Sequence, residues 1–163
     1  MKNRAKAGLT LVELLCTIVI MLLVSVGMVE GVNLAVKNYK KSLLSSESQV
    51  LCSTLTNLVS DELRYSGAVY WDQSPIAFFS RTYGDKCAFD QNADGQVTLG
   101  DEKLLPSKAY HLGMKASVTL EKKQDDRDDL FTVTVLVTDA SGAELAKNEF
   151  DVEKLNVGSK IGV

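Results

Sequence analysis

The 163-residue sequence predicts an α+β fold, in which one long N-terminal α-helix packs on an antiparallel β-sheet. No proline interrupts the chain from Leu9 to Ser66, and apolar residues recur there at helical spacing. In the C-terminal half, apolar and polar residues alternate, which is typical of half-buried strands. Hydrophobic residues make up 45% and charged residues 24% of the chain, so we expect a folded protein rather than a disordered one.

The first element is an apolar run from Leu9 to Val29, LTLVELLCTIVIMLLVSVGMV, in which 16 of 21 residues are hydrophobic. As a helix it is roughly 31 Å long, close to the bilayer core of about 30 Å. We therefore predict a transmembrane helix over residues 9–30. The preceding residues 1–8, MKNRAKAG, carry three basic residues and no acidic one, which predicts a cytoplasmic N-terminus and an extracytoplasmic remainder.

The helix continues over residues 31–66 as an amphipathic segment. Leu44, Leu51, Leu55 and Leu58 follow one another at spacings of seven, four and three residues. Leu43, Val50 and Val59 widen this apolar face. Gly67 then predicts the end of the helix.

Residues 67–163 are predicted to form a β-rich domain. Period-two alternation indicates strands over residues 112–120 and 131–138, and a third strand is expected near Glu144–Val152. Earlier strands are suggested at Ile76–Tyr83 and Lys86–Phe89. The segment Lys122–Asp129, KKQDDRDD, is interpreted as a charged hairpin loop, either a solvated turn or a recognition patch.

A carboxylate interrupts the apolar run at Glu13. A charged residue at the centre of a membrane helix costs about 2.5–3.5 kcal/mol on insertion scales, and less near the end of the segment. Two interpretations stay open from the residues alone. Glu13 either reaches the headgroup region or pairs with a cation that a neighbouring chain supplies.

The segment Lys6-Ala7-Gly8, followed by Leu9-Thr10-Leu11-Val12-Glu13-Leu14-Leu15, resembles the N-terminal signature of type IV pilins and pseudopilins. The resemblance implies that residues 1–8 are a leader, that a prepilin peptidase cuts after Gly8, and that the new amine of Leu9 is methylated. It also implies that Glu13 acts in assembly, facing the cationic N-terminus of a neighbour. Leu9 stands where the family commonly has Phe, which favours a minor subunit.

By this resemblance, the chain is expected to be a structural subunit, not an enzyme, with a pilin-like fold and an assembly role in a cell-surface filament. Its expected partners are other pilin-like subunits, the prepilin peptidase, the cytoplasmic membrane and an assembly platform. The filament could serve a pilus, protein secretion or DNA uptake. The net charge of −3 gives no support for direct nucleic-acid binding.

Two other classes of protein remain as alternatives. One is a membrane-anchored extracellular binding module outside any filament, with calcium-dependent binding as a variant. The other is a secreted enzyme with an ordinary signal peptide, whose mature N-terminus would lie near residue 30. The apolar run is longer than a signal-peptide core of about 7–15 residues, and no small-x-small cleavage site follows it, which disfavours the secreted enzyme. The sequence also contains no Gly-rich phosphate loop, GxSxG or HExxH motif.

The segment Asp90–Asp101 has the spacing of a calcium-binding loop. Its predicted ligands are Asp90, Asn92, Asp94, the Gln96 carbonyl and Asp101, with Gly95 at the sharp turn. The alternative is a plain β-turn, because Asn-x-Asp-Gly between two strands is also good hairpin chemistry. Both interpretations stay open at this stage.

The three cysteines are too few for a disulfide-rich scaffold or a four-cysteine zinc site. Cys16 lies in the predicted membrane segment. Cys52 and Cys87 are both predicted outside the membrane, where a disulfide is permitted. A disulfide between them would join the helix to the sheet and stabilise the domain by about 3–4 kcal/mol if it formed without strain.

Overall fold

A computed structural model describes residues 10–123 and 130–155. Its only α-helix in these ranges, α1, runs over Leu11–Arg64 and has 54 residues. The prediction of one long uninterrupted N-terminal helix is therefore confirmed. The described chain divides into two compact units at Ser42 and Leu43, which we describe separately.

The first unit is the N-terminal part of α1. Its apolar side chains are exposed all round, and none of the described side chains up to Ser42 is buried. The hydroxyls of Thr17 and Ser25 donate hydrogen bonds of 2.8 and 2.7 Å to the carbonyls of Leu14 and Met21. These polar groups are thus satisfied within the helix, as a helix surrounded by lipid requires.

The second unit begins at Leu43 and contains the last turns of α1, which bury one face. The buried residues of this face are Ser48, Leu51, Cys52, Leu55, Val59 and Leu63. The prediction is confirmed for Leu51, Leu55 and Val59. It is wrong for Leu43 and Val50, which are 37% and 66% exposed, because the packed face is turned towards Ser48 and Cys52.

Two antiparallel sheets complete this unit, where the sequence predicted one. The larger sheet has the strand order β1-β2-β3-β4-β5 and the smaller one the order β6-β7-β8. The five strands of the larger sheet are β1 (Val69–Tyr70), β2 (Ala77–Ser80), β3 (Gly84–Gln91), β4 (Val97–Leu99) and β5 (Glu102–Lys103). The three strands of the smaller sheet are β6 (Lys115–Lys122), β7 (Leu130–Thr138) and β8 (Glu144–Glu153).

The helix and both sheets share one core, which confirms the α+β class. Its largest fully buried side chains include Phe78 of the larger sheet, Phe131 of the smaller sheet and Leu55 of α1. On β7 every second residue is buried from Phe131 to Val137. The alternation read from the sequence is therefore the alternation between core and outer face.

The predicted strand over residues 112–120 begins later than expected. Residues His111–Gly113 form a 3₁₀ turn, and Leu112 adopts a left-handed conformation with φ of 55°. Leu112 is therefore 63% exposed, and the buried alternation begins only at Met114. A second 3₁₀ turn, Ser107–Ala109, precedes it.

Parts of the predicted segments lie outside the described residues. These parts are the leader, residues 1–8, residues 124–129 of the charged hairpin loop, and residues 156–163 at the end of the predicted β-rich domain. Lys123, at its start, forms an ion pair with Asp151 on β8.

Candidate functional site

The first candidate site lies at the start of α1, where Thr10 and Glu13 bond to each other. The backbone N–H and the hydroxyl of Thr10 donate to Glu13 Oε2 at 2.9 and 3.0 Å. In return, the N–H of Glu13 donates to Thr10 Oγ1 at 3.3 Å. This reciprocal arrangement is a capping box, which satisfies donors that the first turn of a helix leaves unpaired.

The cap determines where the Glu13 carboxylate lies. It draws the Glu13 carboxylate back towards the N-terminus of the helix, next to Thr10, the residue that follows Leu9 in the chain. All of the contacts among the described residues use Oε2, so Oε1 remains available to another group. This role of Glu13 was not predicted, although the spacing Thr-x-x-Glu is a known signal for it.

Gly8 and Leu9, the predicted cleavage and methylation positions, lie outside the described residues. The structure therefore places Glu13 but not its expected partner, the amine of Leu9. Their roles stay predictions.

The helix that follows Glu13 has the length and composition of a membrane span. It is the one helix in the described part of the chain that is long and apolar enough to cross a bilayer. Between Glu13 and Glu30 no side chain carries a charge. Large apolar side chains on all sides of it, such as Met21, Leu22 and Leu23, are 74%, 62% and 68% exposed. Such a surface is stable in lipid or against other apolar helices.

The second candidate site, Asp90–Asp101, forms a β-hairpin turn. Gln91 on β3 pairs with Val97 on β4, and the turn lies between them. The Asn92 side-chain oxygen accepts the backbone N–H groups of Asp94 and Gln96 at 3.0 and 2.9 Å. The Gln96 carbonyl, a predicted calcium ligand, accepts the N–H of Asn92 at 3.0 Å. In this conformation residues 91–97 form a hairpin turn, and the calcium ligand set of residues 90–101 stays a prediction.

In this conformation the three predicted carboxylate ligands, Asp90, Asp94 and Asp101, do not converge on one point. Strand β4 occupies the middle of the expected loop, so Asp101 lies beyond the far end of that strand, in the turn to β5. Within residues 10–123 and 130–155 no three acidic, histidine or cysteine side chains converge on one point. The Asn92 side-chain oxygen and the Gln96 carbonyl accept backbone N–H groups of the turn, and each oxygen retains a second lone pair.

Cys52 and Cys87 are both buried and both free thiols. Cys52 Sγ lies 4.0 Å from the carbonyl oxygen of Val135 on β7, whereas Cys87 Sγ lies 3.5 Å from that of Gly84 on β3. This structure therefore does not contain the hypothesised Cys52–Cys87 disulfide. Burial raises the pKa of both thiols, and at Cys87 the nearby carboxylates of Asp85 and Glu62 raise it further.

The comparison with known families gives one result. A family model described as the prokaryotic N-terminal methylation motif matches residues 3–29. No curated protein and no solved structure matches the chain. The matched range contains residues 3–8 of the basic leader, with Gly8, then the Thr10–Glu13 cap and the apolar helix as far as Val29. This chain accordingly carries the N-terminal methylation motif that is the signature of type IV pilins and pseudopilins, and it is pilin-like in its N-terminal helix.

Proposed function

We propose that this chain is a minor pilin or pseudopilin, a subunit that assembles into a type IV pilus-like filament through its N-terminal helix. The methylation motif supports a pilin-like substrate of prepilin peptidase that one apolar helix anchors in the membrane. We infer assembly into a filament from the position of Glu13. Its carboxylate lies at the N-terminal end of the apolar helix, and its contacts with residues 10–123 and 130–155 use Oε2 alone.

Cleavage after Gly8 creates an amine at Leu9, one residue before the Thr10 cap. Methylated and protonated, this amine carries a positive charge in an environment of low dielectric constant. There an unpaired charge is costly, so the Glu13 carboxylate of an adjacent subunit is a favourable partner. The exposed apolar side chains of α1 supply most of the attraction between subunits, and the charge pair determines their axial register.

Processing is tested by mass spectrometry of the N-terminus. The chain is expressed in a bacterial membrane with and without a prepilin peptidase. Loss of residues 1–8 and addition of one methyl group at Leu9 support the proposal. A mature N-terminus near residue 30 would instead indicate a secreted protein with an ordinary signal peptide. An unprocessed chain would indicate a membrane-anchored module outside any filament.

The role of Glu13 in assembly can be separated from its role in the cap. Glu13→Gln keeps an oxygen that accepts the Thr10 N–H but removes the charge. Thr10→Ala removes the hydroxyl of the cap but keeps the charge. We expect Glu13→Gln to enter the membrane normally and to be depleted from filaments, and Thr10→Ala to assemble.

A matched control is available at the other end of the apolar segment. Glu30→Gln makes the same chemical change at a residue that is exposed and distant in sequence from Leu9. It should leave incorporation unchanged. Normal incorporation of Glu13→Gln would show that the charge of Glu13 is not needed for assembly.

A further inference from the structure

Three lysines follow the apolar segment of α1 at a spacing that groups their side chains. Lys37, Lys40 and Lys41 follow one another at spacings of three residues and one, so they share one face of the helix. All three side chains are exposed. No acidic residue lies between Glu30 and Glu47, so the lysines are the only charged side chains in this stretch of α1.

These ammonium groups lack an anionic partner in the described part of the molecule. Within residues 10–123 and 130–155, none of the three lysines forms an ion pair or a hydrogen bond through its side chain. Lys123 of the second unit, by contrast, pairs with Asp151. Like charges close together on one helix face repel one another, so an anionic partner is favourable there.

An apolar face adjoins the lysines on the same turns of α1. Val32, Val36 and Tyr39 recur at spacings of four and three residues and are 62%, 47% and 68% exposed. A helix segment with lysines on one face and apolar side chains on the next is typical of the boundary between a bilayer and water. Tyrosine is enriched at that boundary because its ring is apolar and its hydroxyl is polar.

The length of α1 places the lysines at the depth of lipid headgroups. Lys37 and Lys41 lie 24 and 28 residues after Glu13 on one continuous helix. At about 1.5 Å per residue, these separations are about 36 and 42 Å along the helix axis. A bilayer is about 30 Å thick across its hydrocarbon core and about 40–45 Å thick with its headgroups. With Glu13 at one edge of the core, a tilted helix brings the lysine side chains into the opposite headgroup layer.

We propose that Lys37, Lys40 and Lys41 bind the phosphate groups of anionic lipids in the headgroup layer opposite Glu13. Each ammonium group has three N–H donors, and a lipid phosphate supplies both acceptor oxygens and the missing negative charge. This contact fixes the depth at which the unassembled chain lies in the membrane. The inference rests on the proposed function only where that function places the apolar helix in a bilayer.

Electron paramagnetic resonance of spin-labelled lipids tests the contact. The full-length chain is reconstituted into phosphatidylcholine vesicles that contain a trace of spin-labelled phosphatidylglycerol or, separately, of spin-labelled phosphatidylcholine. The fraction of each label that the protein immobilises gives its preference for the anionic headgroup. We expect the wild-type chain to prefer phosphatidylglycerol several-fold. The triple variant Lys37→Gln, Lys40→Gln, Lys41→Gln should lower this preference about two-fold or more.

Two control variants separate lipid binding from net charge. Arginine in place of the same three lysines keeps the charge and the donors, so it should retain the preference for phosphatidylglycerol. Lys103→Gln, Lys108→Gln and Lys147→Gln together change the net charge by the same amount in the second unit and should leave the preference unchanged. The basic residues of the leader are identical in all variants and contribute equally to each measurement.

A preference for phosphatidylglycerol that is equal in the wild type and the glutamine variant at residues 37, 40 and 41 would overturn the proposal. An equal loss in the second-unit variant would also overturn it, because the preference would then depend on total charge. Higher ionic strength should reduce the wild-type preference and change that of the glutamine variant little, since salt screens exposed charges. A wild-type preference that salt does not alter would contradict a contact between charges.

The outcomes also separate this inference from the proposed function. Cleavage after Gly8 and entry into filaments are measured for the same variants in cells. Normal cleavage and filaments without a lipid preference would retain the filament role and reject the lipid contact. A lipid preference in a chain that is neither cleaved nor assembled would retain the lipid contact and count against the filament role. Loss of the glutamine variant from filaments with its lipid preference intact would assign the lysines to a neighbouring protein instead.

Discussion

The backbone N–H of Ala116 donates a hydrogen bond of 2.8 Å to the carbonyl of Gly95, and this bond joins the smaller sheet to the β3–β4 turn. The side-chain amide of Gln91 adds a second link, donating to the Ala116 carbonyl at 2.9 Å. Gly95 has a positive φ of 78°, and a Cβ atom built on it would lie 2.4 Å from Lys115 Cγ. The turn thus depends on glycine for both its conformation and its close approach to β6.

Gly95→Ala is expected to destabilise the domain by about 1–3 kcal/mol, because it adds strain and a steric overlap to the turn. Gly84→Ala is the matched control, since Gly84 has a φ of 97° but nothing within 4 Å of the position that an added Cβ atom would take. Chemical denaturation should therefore show a larger loss for Gly95→Ala. Equal losses would mean that the contact with Lys115 contributes nothing.

The parts of the fold that the sequence predicted are those with a long periodic pattern. Helix α1 has no proline over its length, and β7 and β8 each have nine or ten residues. Strands β1, β4 and β5 have only two or three residues, too few for a period to be visible. In β4 all three residues are buried, so no alternation exists. The division into two sheets depends on long-range pairing, which no local pattern reports.

Tyr110 forms a buried hydrogen bond with the first residue of β4. Its hydroxyl accepts the backbone N–H of Val97 at 2.9 Å. Tyr110→Phe leaves that buried N–H unpaired, and we expect a loss of about 1–3 kcal/mol in the free energy of unfolding. Tyr70→Phe removes a hydroxyl that bonds to the exposed Asp85 carboxylate and should cost clearly less. Urea denaturation of both variants checks the difference, and similar losses would contradict it.

The Asp139 carboxyl makes the free energy of unfolding depend on pH in the acid range. Its Oδ1 accepts the hydroxyl and N–H of Ser141 and the N–H of Ala143, which hold the pKa of this carboxyl below its ordinary value of 3.8. A carboxyl whose pKa is lowered by folding contributes stability above pH 3.8, and that contribution is lost as the pH falls through the lowered pKa.

Asp139→Asn should therefore weaken the fall in melting temperature below that pH. Exposed Asp72→Asn is the charge-matched control and should leave the wild-type pH dependence in place. Thermal unfolding of the three proteins across the acid range provides the comparison. An unchanged pH profile for Asp139→Asn would show that the Ser141 and Ala143 contacts do not stabilise the charged form.

The cysteines are tested by alkylation. Cys52 and Cys87 are each 5% exposed, and burial raises the pKa of both thiols, so both should react slowly in the folded protein. In denaturant without a reductant, all three cysteines should become alkylated, as counted by mass spectrometry. Modification of Cys16 alone would reveal the Cys52–Cys87 disulfide that this structure does not contain.

At the candidate sites, the sequence predicted which kinds of side chain take part better than it predicted where those side chains lie. The charge of Glu13 is visible as an exception in an apolar run, and its cap by Thr10 could have been found from the Thr-x-x-Glu spacing. At Asn92 the spacing alone could not distinguish a calcium ligand from an acceptor of backbone N–H groups, because both uses require the same side-chain oxygen.

Calcium titration distinguishes those two uses of the turn. In the hairpin, Asn92 Oδ1 and the Gln96 carbonyl accept backbone N–H groups, and Asp101 lies beyond β4 in the turn to β5. We expect calcium at millimolar concentration to leave the melting temperature unchanged and to give no heat of binding in calorimetry. Asn92→Ala should destabilise the turn equally with and without calcium, because it removes two backbone contacts. A calcium-dependent rise in melting temperature that Asp90→Asn and Asp101→Asn abolish would show instead that residues 90–101 rearrange into a calcium loop.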